Sequence, residues 1–265
     1  MIAILFGMIS IFPVSFIFFA ISERMIARHE SRVGKEISFG KFVAQTWIDA
    51  WVQVKRIKTF SFWLLFALQC SLVLLLDLNS QYVIFIYLAM NGFLLVWFLP
   101  EHVDPVVKRI EADRAQVRYS VATAVAILCL FACFTMSKSS SLSEVNWNWA
   151  SLLFVVPFQL AGMILFGEHP FQGLCDKPRW IESVRFYIWS MLCVKLFLGG
   201  GDFFVDFHLK AAALYLFCRV AGIYFPTFHQ RDLLRISVAY LFPITGLLWL
   251  SVLLLGALEL GAGHV

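Results

Sequence analysis

Residues Ile236 to Leu258 read ISVAYLFPITGLLWLSVLLLGAL, and no charged side chain interrupts them. A helix rises about 1.5 Å per residue, so a run of this length covers the roughly 30 Å of hydrocarbon in a bilayer. Comparable runs precede it at about Met1–Ser22, Phe60–Leu76, Gln81–Leu99, Ser120–Met136, Trp149–Phe166, Ser183–Leu198 and Leu209–Phe225. Only 14% of the 265 residues are charged and 61% are hydrophobic, a balance that a water-soluble core does not explain. The expected fold is therefore all-α: a polytopic membrane protein of about eight transmembrane helices, forming a single membrane domain over residues 1–265. Met1–Ser22 has no basic stretch before it and no small-residue cleavage site after it, so it reads as a retained helix.

The segments between these runs sort by charge. The first, third, fifth and seventh loops carry Arg24, Arg28, Arg32, Lys35, Lys41, Lys55, Arg56 and Lys58, then Lys108, Arg109, Arg114 and Arg118, then Lys177, Arg179 and Arg185, and finally Arg231 and Arg235. The other loops offer little more than Lys138 and Lys210. Basic loops stay on the cytoplasmic or matrix side, which places both termini on the opposite side. Residues 36–57 lie in the first basic loop but alternate differently. Phe39, Phe42, Val43, Thr46, Trp47, Ala50, Trp51 and Val54 recur at spacings of three and four, while Lys41, Gln45, Asp49, Gln53 and Arg56 take the other face. That pattern predicts an amphipathic helix at the membrane surface, either a plain interfacial anchor or part of a site. No internal repeat or low-complexity tract is visible.

Charges inside apolar runs are costly at mid-bilayer, so they mark candidate sites. Lys195 and Arg219 lie inside the sixth and seventh spans, and Glu168 and Glu182 bracket the fifth loop. The two carboxylates either face a water-filled cavity, balanced by Arg219 or Lys195, or are solvated beside Lys177, Arg179 and Arg185. Loop one packs Glu23, Arg24, Arg28, His29, Glu30, Arg32, Lys35 and Glu36 together; it suits anionic lipid head groups, a soluble partner or the polar floor of a cavity. The six cysteines include no CxxC pair and mostly fall in apolar runs, where packing is the simplest role. No metal site is expected. The histidines sit at run ends or in loops, which argues against a haem held between spans. Gly199, Gly200 and Gly201 read as a turn, without the pattern of a phosphate loop.

The order of several motifs resembles the family of respiratory complex I subunit 1, the quinone-chamber subunit. Glu23-Arg24 closes the first run, Arg32-Val33-Gly34 follows, and Gln45-Thr46-Trp47-Ile48-Asp49-Ala50 lies on the surface helix. Further on stand Pro170-Phe171, Glu182 at the head of the sixth run, and Leu196-Phe197-Leu198-Gly199 at its end. Pro226-Thr227-Phe228, Arg231-Asp232-Leu233-Leu234 and Pro243 complete the order. The sequence departs from the family in having Lys35-Glu36 where Pro-Asn is usual, Val121-Ala122-Thr123-Ala124 where a Glu is usual, and a short stretch from Gln172 to Ile181. It is similar to a divergent, shortened member.

The resemblance implies a membrane subunit of a proton-pumping NADH:quinone oxidoreductase. Such a subunit walls the quinone chamber and links quinone reduction to proton translocation. It would hold no redox centre of its own; ubiquinone is the substrate, and the iron-sulfur clusters and FMN belong to partner subunits. Phe42, Trp47 and Trp51 would line the chamber. Arg24, Arg28 and Arg32 would stabilise reduced quinone or tether the soluble partner. Asp49, Glu168 and Glu182 would relay protons, with Arg219 as balancing charge. The implied partners are soluble quinone-module subunits on the basic side, small and antiporter-like membrane subunits laterally, lipid and quinone, with no nucleic acid. The implied location is the mitochondrial inner membrane, or else a bacterial cytoplasmic membrane. The related subunit of membrane-bound hydrogenases is a second possibility, and a secondary transporter or scaffold a third, although the matched broken helices of transporters are not visible.

Overall fold

The computed structural model describes residues 2–29, 39–55, 84, 86–91, 105–137, 151–166, 179–199, 204–224 and 235–262. Regular structure among them is helical, without a strand. The helices are α1 (Ile2–His29), α2 (Phe39–Lys55), α3 (Pro105–Ser137), α4 (Leu152–Phe166), α5 (Arg179–Phe197), α6 (Phe204–Tyr224) and α7 (Phe242–Ala262). The expected span Phe60–Leu76 lies outside the described residues, and of Gln81–Leu99 they include only 84 and 86–91, which are helical apart from the omitted position. Two segments, Gln116–Met136 and Ser237–Leu254, are long and apolar enough to cross a membrane by length and composition, and Leu152–Phe166 is apolar but shorter.

Two boundaries differ from expectation. Helix α1 continues past Ser22 to His29, so Glu23 and Arg24 are helical rather than in a loop. Helix α3 starts at Pro105, well before Ser120, and carries Lys108, Arg109, Arg114 and Arg118 in its first turns. Proline suits a first helical position, where its missing N–H is not needed. The charged turns then continue the apolar ones without a break.

Helix α5 is the centre of the bundle, packed by α1, α4 and α6 and touched by α3. From Ile181 to Phe197 almost every side chain is buried, including Ser183, Arg185 and Ser190. Polar groups belong on such a helix because its neighbours are protein, where hydrogen bonds replace the water that lipid would deny them. Ser190 accepts a bond from Gln159 of α4 at 2.6 Å and donates to the Phe186 carbonyl at 3.1 Å. Arg185, 1% exposed, reaches the Asn91 side chain at 2.9 Å and lies 4.9 Å from the centre of the Phe166 ring. At the other extreme, α7 presents Leu247, Leu250 and Leu254 outwards. Only 17% of the Ser237–Leu254 window is buried, against 39% for Gln116–Met136, so the apolar residues of α7 face the surroundings rather than a core.

Local geometry fixes these packings. Trp189 stacks on Phe158 with ring centres 4.5 Å apart and donates its indole N–H to the Phe158 carbonyl at 2.9 Å. Its ring occupies the space that a Cβ at Gly162 would need, so only glycine admits it. The C-terminal carbonyls of α5 lack helical partners and find others. Leu198 N–H makes the last helical bond, to Val194 at 3.0 Å, and beyond it the Cys133 thiol donates to Leu196 at 3.4 Å and the Ser151 hydroxyl to Phe197 at 3.0 Å. Gly199 follows with φ 72°, the left-handed cap that glycine adopts cheaply. Before α7, residues Ser237–Leu241 form a π-type turn in which the Phe242 N–H bonds back to Ser237. Pro243, which cannot donate to the Ala239 carbonyl and crowds it, accounts for the widening.

Candidate functional site

The helix expected over residues 36–57 is α2, and it lies beside α1 with opposite direction. Arg24 sits over the Phe39 ring at 5.1 Å, and eight residues earlier in α1, Phe16 meets Trp47, eight residues later in α2, edge-on at 4.8 Å. The two helices therefore run together for about 12 Å. Trp180, at the start of α5, closes an aromatic cluster, 6.3 Å from Phe16 and 6.4 Å from Trp47. The apolar face of α2 is only partly used: Phe42, Val43 and Thr46 are half-buried, while Trp47 and Trp51 remain 49% and 51% exposed. Such large, rigid rings are suited to the wall of an apolar groove.

Next to this cluster, α1, α5 and α6 meet through polar groups. Arg219 Nη2 donates to Glu23 Oε1 at 3.0 Å, and the two side chains are only 13% and 17% exposed. Attraction between such groups is strong because little water screens them, and the loss of either removes a compensating charge from the other. One turn deeper, the Tyr215 hydroxyl lies between Ser183 and Ser22, in hydrogen bond with Ser183 and 3.5 Å from the Ser22 oxygen. Ser22 spends its own proton on the Phe19 carbonyl at 2.8 Å, so the phenol is the donor to Ser22 and Ser183 donates to the phenol. Deeper again, the Tyr187 hydroxyl is 2.7 Å from His208 Nδ1, and the two rings stack.

The residues singled out in the sequence fall as follows. Asp49 is on the exposed side of α2 and accepts from Gln45 at 3.2 Å. Glu182 lies in the first turn of α5 and is half-buried. Arg219 was expected to balance Asp49, Glu168 and Glu182; its guanidinium donates to Glu23. Arg24 is held over Phe39, Arg28 is on α1 with its side chain outside the described residues, and Arg32 and Glu168 lie outside them altogether. Lys195 is half-buried on α5. Cys129, Cys133, Cys193 and Cys218 are buried free thiols, and no group of three or more metal-ligating side chains occurs among the described residues. Sequence reasoning did not single out Tyr215, Ser183, Tyr187, His208 or the role of Glu23. A polar group between apolar neighbours at Tyr215 (Leu214 and Leu216) was the available signal, whereas Ser22 and Ser183 each adjoin a glutamate.

No protein-family model matches the sequence, and no curated protein does. The fold does have a counterpart. A chain of the membrane-bound sulfane sulfur reductase, an archaeal respiratory membrane complex, matches with a TM-score of 0.74 at 16% identity, over 94% of this chain and 98% of that one. At that identity the shared property is the fold, and the coverage makes it the fold of the whole chain.

Proposed function

We propose that the protein is a membrane-embedded subunit of a complex I-like respiratory oxidoreductase, and that its α1, α2 and α5 form one wall of the chamber in which a quinone is reduced. The observation that carries this reading is the end-to-end likeness to a chain of a respiratory membrane complex. The order of motifs in the sequence supports it, as does the juxtaposition of an aromatic wall, Phe16, Trp47 and Trp180, with the charges Arg24, Glu23 and Arg219. An apolar wall receives an isoprenoid-bearing ring, and a cation at its polar end stabilises the negative charge that builds on the ring during reduction. Asp49 and Glu182 are the proposed proton-exchanging carboxylates, with Glu168 beyond the described residues. Redox centres would be held by soluble partners on the basic side, and other membrane subunits would flank the chain. The eight spans belong to this proposal. The likeness is to an archaeal complex, which favours a prokaryotic cytoplasmic membrane over the mitochondrial inner membrane that the sequence suggested.

A second reading has the same wall in an assembly with a different electron acceptor. It is favoured by the neighbour itself, a sulfane sulfur reductase, and a membrane-bound hydrogenase is its other form. Purification of the chain from its native membrane in mild detergent, with mass spectrometry of its companions, separates the two. Flavin and iron-sulfur subunits with inhibitor-sensitive NADH:quinone activity support the first, and sulfane sulfur or proton reduction without quinone activity supports the second. Purification as a lone chain would sink both. In the first case Glu182→Gln is expected to slow turnover coupled to proton movement while leaving assembly intact; normal pumping would remove Glu182 from the path.

A further inference from the structure

The seam between α1, α5 and α6 holds an unusual run of exchangeable protons. Starting at Glu23 and Arg219 it passes Ser22, Tyr215 and Ser183, then Tyr187, and ends at His208, and the last five are deeply enclosed: Ser22 is 1% exposed, Tyr215 1%, Ser183 4%, Tyr187 0% and His208 7%. Ring centres of Tyr215 and Tyr187 are 6.0 Å apart, so the two hydrogen-bonded groups are neighbours in depth. Phe18 stacks on Tyr187 and Phe186 packs on Tyr215, so apolar rings flank the column. Along α6 it extends from Arg219 to His208, about 16 Å at the helical rise and so roughly half the hydrocarbon thickness of a bilayer. His208 stands one turn inside the start of α6, and the ion pair of Asp206 and Lys210, whose side chains are 49% and 38% exposed, occupies the opposite face of the same turn.

We propose that this column conducts protons between the Glu23–Arg219 pair and the far end of α6, a role that rests on the reading of the chain as a membrane subunit of a proton-moving assembly. Simple interhelical adhesion needs only separate polar pairs. Here the pairs are stacked in depth, with a carboxylate at one end and an imidazole at the other, and every intermediate group is a hydroxyl able both to donate and to accept. In one passage the Tyr187 O–H bond breaks as a bond to His208 Nδ1 forms, and the imidazole releases the proton of its other nitrogen to a water that enters from the far end of α6. One water between the two tyrosines reprotonates Tyr187 and takes the proton of Tyr215. The phenol is restored from Ser183, and Ser183 in turn through water from Glu23, which first takes up the entering proton. One proton enters, one leaves, and each group ends with the number it began with; the reverse direction uses the same bonds.

The test uses sealed vesicles containing the purified assembly and an entrapped pH-sensitive dye, with protons moved per electron passed as the readout. Tyr187→Phe keeps the ring and removes the O–H. His208→Gln keeps a hydrogen-bonding partner for Tyr187 and removes the exchangeable ring. Both variants are expected to lose proton movement per electron, a ratio that looser packing alone does not lower in an assembled enzyme with sealed membranes. An unchanged ratio in either assembled variant overturns the column and leaves the seam as adhesion; if one fails to assemble, the other decides. Should the unmodified assembly pass no electrons, the functional reading above fails, and the column is then judged in the same vesicles by the decay of an imposed pH gradient. Slower decay in the variants sustains it, and equal decay overturns it.

Discussion

Arg219 and Glu23 are 196 residues apart in sequence and 3.0 Å apart in space, and nothing local in either neighbourhood names the other. From the sequence Arg219 was visible as a charge within an apolar run that had to be balanced, but that Glu23 lies against it is a tertiary fact. The pairing gives a direct prediction. Arg219→Leu takes the Arg219 cation from Glu23 in a poorly hydrated site and should destabilise the protein by about 3 to 5 kcal/mol, whereas the double replacement with Glu23→Leu should recover most of that loss. Thermal unfolding of the detergent-solubilised protein measures both, and equal losses in the single and double variants would show that the cost does not come from an uncompensated Glu23 charge. Gly162 offers a second, steric case. Gly162→Ala sets a methyl group into the indole of Trp189, for an expected loss of about 1 to 3 kcal/mol by the same measurement.

Elements were easier to read than their ends. Apolar runs located α1, α3, α4, α5 and α6, and the three-and-four spacing located α2, because both signals are local. Extension of α1 to His29 and of α3 back to Pro105 was not legible, since a helix that leaves an apolar layer has no hydrophobic reason to stop and charge alone does not break it. The glycine turn after α5 was legible, and Gly199 alone among its described residues has positive φ. Gly199→Ala is expected to cost about 1 to 2 kcal/mol because an L residue resists that conformation, and a chemical denaturation midpoint would register it. No change would mean that the cap relaxes without penalty. The π-type turn before α7 was beyond reach of pattern reading. Pro243 announces a disturbance but not whether the helix bends, ends or widens.

At the scale of the molecule, alternation of basic and neutral loops and the repeated apolar runs pointed to a membrane bundle, and the likeness to a respiratory-complex chain agrees with an all-helical fold of that kind. What composition did not tell is which helices face lipid. That depends on neighbours: α5, rich in polar groups, is enclosed, and α7, almost without them, is exposed. The exposed face can be checked. Leu247 is 66% exposed on α7, and Leu247→Arg should add about 2.5 to 3.5 kcal/mol to the cost of inserting that helix. A glycosylation-based insertion assay would show the loss, and undiminished insertion would place Leu247 away from lipid.

The enclosure of α5 also bears on how the protein is made. A segment carrying Arg185, Lys195 and a series of serines is a poor candidate for partitioning into lipid by itself when it leaves the ribosome, whereas α4 before it is nearly all apolar. Its groups find their partners on Asn91, Gln159 and Tyr215, and the last of these is synthesised after it. A central helix that waits at the insertion machinery until α6 emerges leaves Cys193 open to a water-soluble thiol reagent in a polypeptide arrested between the two and closed to it once Tyr224 has followed, and protection at the earlier arrest would show that α5 enters without α6.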